Sequence, residues 1–154
     1  MEAWCEKRFK EKYLPLVRPF SMVPDLLKRV RAAGLKVAVA SSAKKDQLDH
    51  YLGIARVNDL VDEATASGEV EESKPAPDIY DAVLKKLKLK GADTAAVGDT
   101  PYDAEAARKA GIRPIGVLSG GFTEASLRKA GCAEVYPGPA SLYCYFDSAL
   151  LAER

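Results

Sequence analysis

The sequence predicts an α/β protein in which a parallel sheet is covered by helices on both faces, giving three α/β/α layers. Three observations carry that expectation. Short apolar runs such as "LKVAVA" (35–40), "DTAAVG" (93–98) and "IRPIGVL" (112–118) alternate with segments of helical period. The connections between them are short, and strand–helix–strand order on short connections gives parallel strands. The runs are apolar on successive residues rather than alternate ones, as strands buried on both faces require.

Residues 22–33, "MVPDLLKRVRAA", place Leu26, Leu27, Val30 and Ala33 on one helical face, and Gly34 supplies the stop. "LKVAVA" follows as a buried strand that runs into a helix start at "SSAKKD", where Ser42 is the expected cap. That helix is expected to run through Leu52 and to end at Gly53. "LVDEATA" (60–66) reads as a short strand or loop, and "SGEVEESKPAP" (67–77) as a polar loop with two prolines. Asp78 opens a helix through Leu87, with Ile79, Val83 and Leu87 at helical spacing. "DTAAVG" is the next strand, "PYDAEAARKA" (101–110) the next helix, and Gly111 its stop. "IRPIGVL" is a strand, "GGFTEASLRKA" (120–130) a Gly-rich turn and helix, and "AEVY" (133–136) a last short strand. The tail from Pro139 reads as helical and apolar, through Leu142, Tyr145, Phe146 and Leu150.

Composition removes several classes of function. At 154 residues the chain is one domain by length. Its 23 Lys and Arg balance 22 Asp and Glu, so no global field draws nucleic acid or an anionic membrane, and neither is expected as a partner. The longest apolar runs are far too short to span a bilayer. "MEAWCEKRFKEKYL" at the start lacks the apolar centre of a signal peptide. Cys5, Cys132 and Cys144 lie far apart without metal spacing and read as thiols of a reducing compartment, so a cytoplasmic location is expected. His50 is the single histidine, which excludes multi-histidine metal sites.

In such sheets ligands bind beyond the carboxyl ends of the strands. Those ends carry Ser41, the loop with Lys74, and Asp99. In "GDTPYDAEAA" (98–107) Asp103 follows Asp99 by one helical turn. Carboxylates placed there hold a metal, orient a lysine, or cap the helix that follows. On the residues alone all three roles stand open.

The stretches "VAVASSAKK", "SKPAPDIY" and "VGDTPYDAEAARKAG" resemble, in this order, motifs two, three and four of the haloacid dehalogenase-like (HAD) hydrolases. "GVLSGGFTEASLRKAGCAEVYPGPASL" is similar to the C-terminal quarter of the phosphoglycolate phosphatase and phosphomutase-like branch. The resemblance implies a Rossmann-like (HAD-like) core, magnesium-dependent (Mg²⁺) hydrolysis of phosphate monoesters, and a small phosphorylated molecule as ligand. It makes Ser41 the hydroxyl that binds the transferring phosphoryl group, with Ser42 beside it; the other role for such a serine is a helix cap. Lys74 becomes the catalytic and phosphate-binding lysine, held in place by the neighbouring Pro75 and Pro77 rather than merely solvated. Asp99 becomes the metal ligand. Asp103 holds Lys74 or a metal-bound water, the alternative being a cap or surface carboxylate.

The same family opens with an apolar strand ending in D-x-D, whose first aspartate attacks phosphorus. No D-x-D occurs in these 154 residues, and the first aspartate is Asp25. "EAWCEKRFKEKYLPLV" (2–17) instead resembles the last helix of the family's small cap and its linker. Residues 1–17 are therefore read as a remnant of cap helix and linker, and residues 18–154 as the core with its first strand missing. The resemblance then implies a C-terminal portion of a phosphatase, inactive alone. Its alternative is a degenerate domain that binds a phospho-ligand or a protein. In the family the absent strand lies between the one ending at Ser41 and the one ending at Gly98. Buried backbone groups without partners cost about 1–3 kcal/mol each. The flanking strands are thus expected to pair directly, or another segment to fill the gap. Self-association or an upstream fragment is expected over a lone monomer.

Overall fold

The structure, a computed structural model, describes Trp4 and residues 7–149. Its helices are α1 (Val23–Ala32), α2 (Lys45–Ala55), α3 (Asp78–Leu87), α4 (Pro101–Lys109), α5 (Glu124–Ala130) and α6 (Pro139–Cys144). Between them lie strands β1 (Ala38–Ala40), β2 (Glu63–Thr65), β3 (Ala95–Gly98), β4 (Arg113–Val117) and β5 (Glu134–Tyr136). The order is the alternation read from the sequence, and every strand pair is parallel. The fold is a three-layer α/β/α Rossmann-like arrangement.

Helical period and burial agree where the apolar stripe is clean. In α1 the stripe buries Leu26 and Val30 against Leu142 of α6 and Phe146 just beyond it. In α3, Ile79, Tyr80 and Val83 are buried, and the first two meet Ala106, Ala107 and Ile112. The stops at Gly34, Gly111 and Gly131 take positive φ, where a Cβ would be strained.

The structure corrects three local expectations. Ser42 does not cap α2: that helix starts at Lys45 behind an extended Lys44, without a side-chain cap bond. The Ser41 hydroxyl instead accepts the Ala43 N–H at 3.1 Å, a local turn that delays the helix. Gly53 does not end α2 either; the chain stays helical to Ala55, and Arg56 takes the left-handed conformation. Tyr145 is 62% exposed, while Leu142 and Phe146 of the same tail are buried. Leu150 and Cys5 lie outside the described residues.

The sheet itself comes in two parts. β1 pairs with β2, and β3–β4–β5 form a separate three-stranded sheet. Among the described residues the flanking strands do not pair and no segment fills the gap, so neither of these two expected outcomes is seen within the chain. The two parts are joined by packing instead: Ala40 of β1 and Ala96 of β3 lie against the one cluster made by α3, α4 and Ile112. The Ala40 carbonyl accepts the Lys74 ammonium at 2.9 Å rather than a strand amide. Val97, in mid-β3, is left 44% exposed.

One carboxylate ties α1 to the start of β1. Asp62 accepts from Arg31 Nη1 and from the Val37 N–H, both at 2.8 Å. The Arg31 hydrogen bond first, and the Val37 amide second, hold its carboxyl below the ordinary value of 3.8. A carboxyl depressed by folding stabilises fully above its unfolded pKa, and that contribution disappears as pH falls through the folded one. Below pH 3.8, acid unfolding of Asp62→Asn should therefore be less steep than that of the parent chain. Circular dichroism followed from pH 6 to about pH 2 measures the difference, and parallel curves would assign acid lability elsewhere.

Candidate functional site

The candidate site is built at the carboxyl ends of β1 and β3. β3 ends at Gly98, Asp99 follows, and Thr100 caps α4. The Thr100 hydroxyl accepts the Asp103 N–H at 3.1 Å. In return Asp103 Oδ2 accepts the Thr100 N–H at 3.1 Å and its hydroxyl at 2.7 Å. This reciprocal cap satisfies two of the helix's orphan donors. The other oxygen, Oδ1, accepts Lys74 Nζ at 2.7 Å. The two open roles for Asp103 are thus filled by one residue, which caps the helix with one oxygen and holds the lysine with the other.

Lys74 arrives on the loop before α3 and is 12% exposed, against 14% for Asp103. Its ammonium donates to Asp103 and to the Ala40 carbonyl, and sits 5.3 Å from the centre of the Tyr80 ring. Burial pushes the Tyr80 hydroxyl well above its ordinary pKa, and the Asp103 carboxylate pushes in the same direction. Two of the three ammonium protons are engaged, leaving one for an anion.

Ser41 is the residue after Ala40, so β1 delivers it beside the lysine. Its N–H extends the β1–β2 ladder to the Thr65 carbonyl at 3.0 Å. With the hydroxyl oxygen accepting from Ala43, the hydroxyl proton is left to donate. Ser42 is exposed at the next position. Asp99 is half-buried and pairs with neither Lys74 nor any other described residue. Lys74, Asp103 and the Ala40–Ser41 peptide are brought together; Asp99 stands apart with an uncommitted carboxylate.

Four contributors escaped sequence reasoning. Tyr80 lies six residues after Lys74, a separation that announces no contact. Thr100 was legible, because T-x-x-D before an apolar helix is a capping pattern. Gly98 and Gly120 have no conformational signal at all. A Cβ on Gly98 would lie 3.0 Å from Asp103 Cγ, and one on Gly120 would lie 2.8 Å from Asp99 Cγ. Close approach to a carboxylate requires both. A cavity of about 830 Å³ lies away from this site against β2 and is lined by Lys44, Lys45, Asp62, Glu63, Glu69 and Lys86 among others. Lys86 there pairs with Glu63 at 2.9 Å and Glu69 at 2.6 Å.

The description of haloacid dehalogenase-like hydrolases fits residues 2–117 of the chain. The chain belongs to the haloacid dehalogenase-like hydrolase family. Within that family it falls in the phosphoglycolate phosphatase-like branch. It is 28% identical over 128 residues to the phosphoglycolate phosphatase of Aquifex aeolicus, covering 73% of this chain and 59% of that protein. It is 31% identical over 112 residues to the (S)-2-haloacid dehalogenase of Pseudomonas sp. strain YL, covering 73% of this chain and 48% of that protein. A hydrolase from Pseudomonas syringae superposes with a TM-score of 0.86 at 26% identity, covering 96% of this chain and 68% of that one. Against its curated relatives this HAD chain spans less than two thirds of their length, 43% and 42% in two cases. Among the described residues no helix is long and apolar enough to cross a membrane.

Proposed function

We propose that this chain supplies the phosphate-binding and metal-binding half of a magnesium-dependent phosphate-monoester hydrolase. The attacking carboxylate comes from a segment outside these 154 residues. The observation that carries this reading is Lys74: a nearly buried ammonium fixed by Asp103 at 2.7 Å and by the Ala40 carbonyl at 2.9 Å, with a proton to spare beside Ser41. Family membership alone does not choose between halide and phosphate chemistry, since relatives named for both match. A fixed cation together with an unpaired carboxylate suits a dianionic phosphate with its metal better than a singly charged halo acid.

Magnesium prefers oxygen ligands and is held by one or two carboxylates together with water and phosphate oxygens. The unpaired Asp99 carboxylate fits that demand. Among the described residues no group of three or more His, Cys, Asp or Glu side chains makes a metal site by itself. Asp99 would hold the ion, which neutralises phosphate charge. Lys74 would neutralise a second phosphoryl oxygen, Ser41 would donate its hydroxyl proton to a third, and Asp103 would keep Lys74 aimed. Positioning and charge neutralisation of this kind are the main protein contributions to phosphoryl transfer.

The open edges of β1 and β3 support the second half of the proposal. By strand alternation Ala38 and Ala40 of β1, and Ala95 and Val97 of β3, direct their peptide groups toward the gap. A partner strand, from an upstream fragment or a second copy, would satisfy them. Titration of the chain with inorganic phosphate, read by amide NMR, should move Ser41 and Lys74, and Lys74→Ala should abolish the shift. With Mg²⁺ and para-nitrophenyl phosphate the chain alone should be inactive. Turnover that Asp99→Asn abolishes, with no fragment added, would overturn the proposal by placing a nucleophile inside the chain. Phosphate binding that no added segment converts into turnover would instead mark a binding module.

A further inference from the structure

We propose that the turn Leu118–Gly121 is a backstop for Asp99, and that Gly120 is the positioning residue through which it acts. The inference rests on the reading of Asp99 as the metal carboxylate. Asp103 is fixed by four hydrogen bonds, but Asp99 has no hydrogen bond or ion pair among the described residues, so something other than polar contact must orient it. Gly120 is what lies against it. A Cβ built there would fall 2.8 Å from Asp99 Cγ and 2.9 Å from Oδ2, and would clash outright with the Asp99 carbonyl oxygen.

The neighbouring glycine separates shape from conformation. Gly121 has a φ of +80° and nothing within 4 Å of its would-be Cβ, so it is glycine because the backbone demands it. Gly120 does not have a positive φ; it is glycine because the carboxylate occupies the space. The turn is clamped to the elements that carry Asp99. It leaves the end of β4, whose Gly116 pairs in register with Gly98 of β3. Leu118 packs on the Ala104–Leu127–Cys132 cluster. Phe122, just past the turn, meets the Tyr102 ring in the first turn of α4 edge-on, with centroids 6.4 Å apart. A carboxylate oriented by a backbone wall keeps both oxygens uncommitted for a cation. Magnesium tolerates little departure from octahedral geometry, so a shift of that carboxylate should be felt directly.

Mn²⁺, a paramagnetic substitute, tests this on the full chain. Titration should broaden amide signals centred on Asp99, and Asp99→Asn should remove the effect. Gly120→Ala should raise the titration midpoint roughly tenfold, as loss of a group that orients a ligand does. Gly121→Asn, which tolerates the left-handed conformation, should keep the midpoint within about twofold. Should Gly120→Ala fail to give a folded spectrum, Phe122→Ala frees the turn without adding an atom and should raise the midpoint about threefold. A wild-type midpoint in the folded Gly120→Ala or in Phe122→Ala, with broadening still centred on Asp99, overturns the backstop and leaves the metal reading intact. No broadening at Asp99 in the parent chain overturns both.

Discussion

Replacing Lys74 with methionine is expected to destabilise the fold by about 3 kcal/mol, lowering Tm by roughly 6–12 °C. The size follows from burial. Both partners of the Lys74–Asp103 pair are close to fully covered, at 12% and 14% exposure. Methionine keeps the length of the side chain and its contact with Tyr80 but removes the charge. Asp103 then retains its bonds to Thr100 on Oδ2 while Oδ1 faces a nearly dry space with no counter-charge, and the Ala40 carbonyl loses its donor as well. Removing one member of a buried pair is the costly case, because the charge left behind remains desolvated. Lys86 supplies the contrast. It makes two ion pairs, with Glu63 and Glu69, yet all three side chains are 26–37% exposed. Water replaces the two carboxylate contacts that Lys86→Met removes, so apart from its bond to the buried Thr65 hydroxyl that loss should stay below about 1 kcal/mol despite the larger number of bonds. Thermal unfolding of both variants side by side decides the matter. Equal losses would mean that Asp103 is better solvated than the static geometry implies.

The contrast between these lysines bears on what the sequence made legible. Periodicity located the six α-helices and four of the five strands, leaving β2 open between strand and loop, because it reports a local property, the face a segment buries. α1 and α3 are clear cases, each with one apolar stripe and one packed side. Helix ends were legible where glycine is required by φ, as at Gly34 and Gly111, and misread at Gly53, where nothing crowds the position and the helix simply continues. Ser42 was expected to cap, but its neighbour Ser41 took the turn, a competition between adjacent hydroxyls that composition cannot arbitrate. The division of the sheet was not anticipated. The flanking strands were expected to close, or the gap to be filled by another segment, an upstream fragment or a second copy, because unpaired edges are costly. In the structure α3 and α4 hold the two sheets apart by packing on both, and Lys74 takes up one of the carbonyls in the gap. Ser41, Lys74, Asp99 and Asp103 were picked out because ligands bind beyond the carboxyl ends of parallel strands and the motifs ordered them. The residues that position them were not, since Tyr80, Gly98 and Gly120 act through space and carry no local signature.

Gly98→Ala should be strongly destabilising for a single added methyl, at about 2–3 kcal/mol. Its φ is not positive, so alanine suits the strand, and the whole cost is steric. The added Cβ would overlap Asp103 Cβ and lie 3.0 Å from Cγ and 3.2 Å from Oδ2. These atoms are not the free end of a flexible chain. Asp103 is pinned by the Thr100 cap on one oxygen and by Lys74 on the other, so relief requires α4 to shift or the ion pair to stretch. Gly68→Ala is the matched control, with nothing within 4 Å of the new methyl. It should be neutral, or stabilising by about 0.5 kcal/mol through the unfolded chain. A double-mutant cycle with Lys74→Met identifies the route of the damage. If Gly98→Ala acts by displacing Asp103 from the lysine, a chain already lacking that lysine has less to lose. The two effects should then fall short of additivity by about 1 kcal/mol or more. Additivity within roughly 0.5 kcal/mol would show that α4 moves as a body with the pair intact, making Gly98 a packing residue and nothing more.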